Sequence, residues 1–285
     1  MRARPMPPIE SAAYLRRIRC HRLTGTAVAA LRKLHRRHLM SVPFENLDVL
    51  RGTPLGTTGE AVLDKVVTRL RGGLCFELNR AFDWLLAELG FRVTLVGAEV
   101  AHDDVFFEGI DHPVLLVAAG SEMWLADVGF GAISFVEPLR LSSTAPQPQF
   151  GVEYRIDVEG GCHVVRSRVG CGEWQNLFRL TPSPRSWADF DDVRTFHQTS
   201  PESPFTRMLI CYKATRSGQV MLTERRLTLL RHGQVSEVEL DPDGSAYGAA
   251  LAWILHGYGE PTPSVAAPFC VSPPIRPWTS SAVDG

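Results

Sequence analysis

The chain is poor in lysine, lacks any long apolar run or internal repeat, and carries almost no net charge. Lys33, Lys65 and Lys213 are its only lysines, so nearly all of its 30 basic residues are arginine, an imbalance we read as coding bias. A net charge of −1 gives no electrostatic footprint for phosphate, which argues against nucleic acid or a membrane surface as partner. The longest strongly apolar stretches, 114–119 and 249–255, fall far short of the roughly 20 residues needed to span a bilayer. The basic N-terminus runs into Ile9-Glu10-Ser11 without the apolar core of a signal peptide, so the chain reads as soluble and cytoplasmic. Six cysteines (Cys20, Cys75, Cys162, Cys171, Cys211 and Cys270) stand at unrelated spacings, which argues against a zinc ribbon or a disulfide framework. There is no phosphate-cradling loop, dinucleotide fingerprint or metal-ligand cluster, so no metal is expected.

What is present is a long, apolar chain: 285 residues, 45% of them apolar, which excludes disorder and suffices for one large or two to three small domains. The first 90 residues read as helical. Ser11 is placed to cap a helix over 12–19, and Thr26 a second carrying Val28, Leu31, Leu34 and Leu39 at helical spacing. His21, His35 and His38 lie beside Arg36 and Arg37 and read as a solvated basic face. Residues 51–59 read as a loop, and 60–70 as a short helix. The strongest helical pattern spans 75–89, with Gly90 where a left-handed cap belongs.

Beyond Gly90 the period changes to short β-branched or alternating segments, 92–100, 114–118, 123–128, 152–158, 163–168 and 174–180. That spacing suggests an antiparallel barrel or small sandwich. Residues 182–192 read as a linker, followed by strands over 207–212, 219–223, 227–231 and 234–240, with a tight turn at His232-Gly233 and a helix over 246–256. The Pro-rich tail, 261–278, reads as extended. The fold class is therefore α+β in three parts: a helical bundle (1–90), an antiparallel β unit (91–190) and a mixed α/β unit (191–285).

Chemistry concentrates at three points. Cys75 opens its helix directly after Arg71-Gly72-Gly73-Leu74, where free backbone N–H groups and the positive end of the helix dipole favour a thiolate. His112 begins one strand, and Asp127 ends the next, so antiparallel pairing would set imidazole and carboxylate side by side. A cysteine at a helix start with a His and an Asp from a sheet is the set that activates a thiol: the His takes its proton, and the Asp fixes the imidazole tautomer.

The segments Val42-Pro43-Phe44-Glu45-Asn46-Leu47-Asp48, Arg71-Gly72-Gly73-Leu74-Cys75-Phe76-Glu77-Leu78-Asn79, His112, and Asp127-Val128-Gly129-Phe130-Gly131 resemble, in order, the signatures of the arylamine N-acetyltransferase family. The similarity runs from about residue 10 to 260, with departures at Leu74, Arg80 and Pro113. The resemblance implies a helical bundle, a β-barrel and an α/β lid around a cysteine-protease-like Cys75–His112–Asp127 triad. It also implies acetyl transfer from acetyl-coenzyme A, through a cysteine thioester, to a small aromatic amine, hydrazine or hydroxylamine. Phe44, Val100, Phe130 and Phe205 match the family's acceptor pocket, and Gly129 and Gly131 lie where the coenzyme A thioester approaches. Related amide synthases keep the triad but move a polyketide acyl chain from an acyl carrier protein to an internal aromatic amine, closing a macrolactam. A cysteine hydrolase or transglutaminase-like enzyme, or a non-catalytic binding module, are the rival classes.

Overall fold

A computed structural model of the chain describes residues 10–259. The helical part opens with α1 (Ser11–Arg17) and α2 (Ala27–Ser41). Ser11, expected as the cap of α1, is its first helical residue, and Glu10 in the cap position makes no side-chain cap bond. Thr26 does cap α2, its hydroxyl accepting from the Ala29 N–H at 3.3 Å. Pro43 forces the chain out of the helical region into the two-residue strand β1 (Phe44–Glu45). The turn α3 (Leu47–Leu50) follows, then α4 (Gly59–Leu63), which widens into a π-type turn over Asp64–Thr68 where one longer helix was expected. Helix α5 (Cys75–Glu88) has its apolar stripe buried, and Gly90 takes φ +82° just past its end.

The strands β2 (Arg92–His102), β3 (Val105–Phe106), β4 (His112–Ala119), β5 (Glu122–Ala126), β6 (Leu139–Arg140), β7 (Gln147–Gln149), β8 (Val152–Glu159), β9 (Cys162–Val169) and β10 (Gln175–Pro184) form one antiparallel sheet. Its order is β6-β5-β4-β2-β10-β9-β8-β7, with β3 folded onto β2. The two edge strands meet without a backbone ladder. Instead the Gln147 amide exchanges hydrogen bonds with the Arg140 backbone, and Gln149 does the same with Val136 and Glu137, so the sheet curls into a nearly closed barrel. Strand β4 shows why the helices and the barrel form one body. Leu115 and Val117 enter the core shared with α5, while Val114 and Leu116 point into the barrel core with Phe135, Tyr154 and Phe178. A strand buried on both faces reads as a continuous apolar run, as this one does.

The expected linker is largely structured. Strand β10 continues to Pro184, a 3₁₀ turn covers Trp187–Phe190, and α6 (Asp191–Thr199) and α7 (Pro204–Arg207) follow. The next strand therefore begins later than its pattern suggested. Strands β11 (Ile210–Ala214), β12 (Gly218–Thr223), β13 (Arg226–Arg231) and β14 (Gln234–Glu239) form a second sheet, with His232 and Gly233 both at positive φ in the last hairpin. Its order is β1-β11-β12-β13-β14, so the helical part lends Phe44–Glu45 to it as an edge strand. Helix α8 (Ser245–His256) covers one face, burying Ala250 and Ile254 against Cys211, Val220 and Leu222. The expected extended tail, 261–278, lies outside the described residues.

Candidate active site

Three elements converge on Cys75. It is the first residue of α5 and only 5% exposed. Two close approaches hold the chain before it. A β-carbon on Gly72 would sit 2.1 Å from the Pro43 carbonyl oxygen, and one on Gly73 2.4 Å from the Glu77 carboxylate. That carboxylate accepts from the Leu74 N–H at 3.1 Å and from Lys65 Nζ at 2.9 Å, so the first turn of α5 is tied from beneath. The two glycines let the chain press against Pro43 and Glu77.

His112 opens β4, and Asp127 stands one residue past β5, whose Ala126 pairs with Leu115. The imidazole Nε2 lies 2.7 Å from Asp127 Oδ2, so Nδ1 is the ring nitrogen left to face the thiol, and the two side chains are near enough to shift each other's protonation. Asn79, one turn beyond Cys75, connects the helix to both strands. Its Nδ2 donates to the Pro113 carbonyl at 2.8 Å and to Asp127 Oδ1 at 2.9 Å, and its Oδ1 accepts from the Val128 N–H at 2.9 Å. The Gly129 N–H also donates to Asp127 Oδ1 at 2.9 Å.

The electrostatics follow from burial and these contacts. Desolvation opposes the His112 cation, but the charge and hydrogen bond of Asp127 outweigh it and push the imidazole up to about 10. Desolvation also opposes the Asp127 anion; His112, Asn79 and the Gly129 amide overcome it, and the carboxyl is held below its ordinary range. At Cys75 burial wins, pushing the thiol up despite the neighbouring His112 imidazole. The helix start alone therefore does not give the low-pKa thiol that its position suggested. A thiolate here has to form together with the imidazolium.

The thiol and imidazole face a cavity of about 810 Å³, whose lining includes Phe44, Val100, Gly129, Phe130, Gly131 and Phe205. Every residue singled out from the sequence is thus on the cavity wall except Asp127, which stands behind His112. Phe130 meets the His112 ring edge-on, with centroids 5.5 Å apart, and the Phe44–Phe205 pair, 5.8 Å apart, lines the side where the Phe44 ring lies against Gly131. Asn46 fixes that side by donating to the Phe205 and Met208 carbonyls at 2.8 and 2.7 Å. A β-carbon on Gly129 would fall 2.7 Å from Cys75 Cα, so only glycine brings this loop so near the thiol.

The sequence reading missed part of the wall. His197 and Phe196 come from α6, a short helix with only Val193 and Phe196 as apolar residues; their helical spacing and the acidic residues in its first turn were the available signal. Burial pushes His197 down to about 4. His35 and His38, expected on a solvated face, are fully buried; His21 is exposed as expected. No group of His, Cys, Asp and Glu suited to a metal occurs among the described residues.

Comparison with known proteins gives this geometry a context. A family model described as N-acetyltransferase matches residues 27–251. Proansamycin X synthase of Amycolatopsis mediterranei is 31% identical over 252 residues, covering 86% of this chain and 96% of that protein. An arylamine N-acetyltransferase / N-hydroxyarylamine O-acetyltransferase of Salmonella typhimurium is 31% identical over 258 residues, covering 87% and 92%. The solved Salmonella typhimurium arylamine N-acetyltransferase superimposes with a TM-score of 0.79 at 30% identity, covering 87% of this chain and 91% of that one. The Mycobacterium marinum arylamine N-acetyltransferase in complex with CoA does so with a TM-score of 0.75 at 31% identity, covering 86% and 94%. Fold and site define an acyltransferase. The chain belongs to the arylamine N-acetyltransferase family.

Proposed function

We propose that this enzyme moves an acetyl group from acetyl-coenzyme A, through a thioester on Cys75, to the nitrogen of an arylamine, hydrazine or hydroxylamine. The observation that carries the reading is the His112–Asp127 hydrogen bond beside the start of the Cys75 helix, with thiol and imidazole opening on one aromatic-walled cavity. In this reading the first part (1–90) supplies the nucleophile, the second (91–190) supplies His112 and Asp127, and residues 193–210 of the third add to the cavity wall.

Cys75 and His112 react as a thiolate–imidazolium pair: the proton rests on the imidazole, which Asp127 stabilises, while the sulfur attacks the donor's thioester carbon. The Cys75 backbone N–H and a neighbouring amide are the donors proposed for the oxyanion. Collapse of the tetrahedral adduct breaks the carbon–sulfur bond to coenzyme A, whose thiolate takes the proton back from His112. The amine then attacks the cysteinyl thioester while His112 accepts its proton and returns one to the departing Cys75 sulfur. Asp103, Asp111 and Glu202 line the cavity, and no Lys or Arg among the described residues does. The cavity therefore suits the acyl thioester and a neutral amine, while the phosphates of the donor lie outside it.

Intact-protein mass spectrometry after mixing with acetyl-coenzyme A alone tests the reading. We expect a gain of one acetyl group that disappears when an aniline is added, together with ping-pong kinetics. An unmodified protein that still turns over would overturn it. A second reading, an amide synthase acting on a carrier-protein-bound acyl chain, is favoured by the similarity to proansamycin X synthase along almost that protein's whole length. Inertness toward acetyl-coenzyme A with acylation by a long-chain thioester would establish it instead.

A further inference from the structure

His35 lies on α2, outside the cavity, with its ring fully buried behind the Asp127 end of β5. Its Nε2 is 3.1 Å from the Asp127 backbone nitrogen, and its Nδ1 is 2.9 Å from the Val136 carbonyl oxygen. A backbone N–H only donates and a carbonyl only accepts, so these partners select one tautomer: Nδ1–H donates to Val136, and the bare Nε2 accepts from Asp127. The ring stacks on Phe135, with centroids 5.8 Å apart at 16°, and meets Phe82 edge-on at 6.0 Å, which fixes its orientation. Burial pushes it down to about 4, so it stays neutral at ordinary pH.

We infer that His35 is a positioning residue that holds the Asp127 main chain so that the carboxylate stays in line with His112 Nε2. The Asp127 amide and both carboxylate oxygens are then committed: the amide to His35, Oδ1 to Asn79 and Gly129, and Oδ2 to His112. Because Val136 is the other partner, one ring clamps both ends of the segment that carries Gly129, Phe130 and Gly131 along the cavity wall. His38, one turn on, does nothing comparable; its Nδ1 faces the Tyr14 hydroxyl at 3.1 Å, far from the thiol machinery.

The inference rests on the proposed triad, and its test separates the two. His35→Phe keeps a ring against Phe135 but removes the acceptor, whereas His35→Gln places an amide oxygen where Nε2 stood. Residues that orient the ligands of a metal site change activity by about 10- to 100-fold, and the same scale is taken for this clamp. We expect His35→Phe to slow single-turnover acylation of Cys75 by that factor with KM for the amine near the parent's, and His35→Gln to recover most of the loss. A folded His35→Phe that acylates at the parent rate, or a His35→Gln as slow as His35→Phe, overturns the inference. A measurement on the parent protein needs no variant: long-range ¹H–¹⁵N spectra should show His35 protonated at Nδ1, and protonation at Nε2 overturns the inference by itself. Turnover retained in Cys75→Ala would remove the triad while leaving the His35 tautomer as found.

Discussion

Two buried polar assemblies flank the first turn of α5, and they are built to different ends. On one side Cys75, His112, Asp127 and Asn79 face a cavity; on the other Glu45, Asp48, Lys65, Arg71 and Glu77 form an ion-pair cluster beneath the helix start. In the cluster every charge has an opposite partner at 2.7 to 2.9 Å: Lys65 on Asp48 and Glu77, and Arg71 on Glu45 and Asp48. The triad side also satisfies its carboxylate fully but leaves the sulfur open to the cavity. Closed assemblies hold shape, and an assembly with one group left reachable can react. Glu77 joins the two, since its carboxylate accepts from Lys65 and from the Leu74 N–H beside the nucleophile.

The sharpest way to separate the two sides is to remove one atom set from each. Cys75→Ala should abolish acyl transfer while the denaturant midpoint stays near the parent's; substantial residual turnover would refute the assignment of the nucleophile. Asp127→Asn should leave a folded protein and lower turnover by about 10⁴, because the amide stabilises the wrong imidazole tautomer and no imidazolium. Lys65→Met should act in the opposite sense. Leaving Glu77 without its cation in a buried site, and Asp48 with Arg71 alone, costs about 3–5 kcal/mol of stability, while turnover per folded molecule stays within a few-fold. Urea unfolding and active-site titration of the same samples check both halves, and a Lys65→Met protein as stable as the parent would break the comparison.

The pH dependence of stability sharpens it further. His112 is raised from its ordinary 6.5 to about 10, so its contribution is fully present below 6.5 and fades as the pH climbs toward 10. His35 is lowered from 6.5 to about 4, so the unfolded chain takes up its proton first and stability falls as the pH drops from 6.5 toward 4. His112→Gln should therefore flatten the alkaline side of the melting profile and His35→Gln the acid side. Equal slopes in both variants and the parent would show that neither ring has the environment described.

The proposed catalytic residues were legible because they stand at punctuation. Cys75 follows two glycines at a helix start, His112 stands beside a proline at a strand start, and Asp127 closes a strand before Gly129. Strand pairing brings His112 and Asp127 together, and Asn79 ties the Cys75 helix to both strands. The supporting residues carry no such marks. His35 and His38 follow Leu31 and Leu34 at the helical spacing of four, a signal that the adjacent Arg36 and Arg37 masked. Lys65 reads as an ordinary surface lysine until Asp48 and Glu77 come from other turns to meet it. The barrel seam was also beyond reach, because side-chain amides of Gln147 and Gln149 bridge it and such pairing leaves no period in the sequence.

The smallest effect tests where the comparison shades into packing. Phe130 meets the His112 ring edge-on at 85° and lies 5.5 Å from Phe178 in the barrel core, so it could serve the cavity or only the core. Aromatic pairs contribute about 0.5–1.5 kcal/mol beyond burial, which corresponds to roughly two- to tenfold in affinity. Phe130→Leu keeps an apolar side chain of fair size and removes the ring face. If Phe130 is part of the acceptor wall, KM for an aniline rises by that factor, while acylation of Cys75 in the absence of amine keeps its rate. If it only packs the barrel, the melting temperature falls and KM stays. A change in the acylation rate itself would mean that the ring acts on His112, which would move Phe130 from the acceptor side to the nucleophile side of the site.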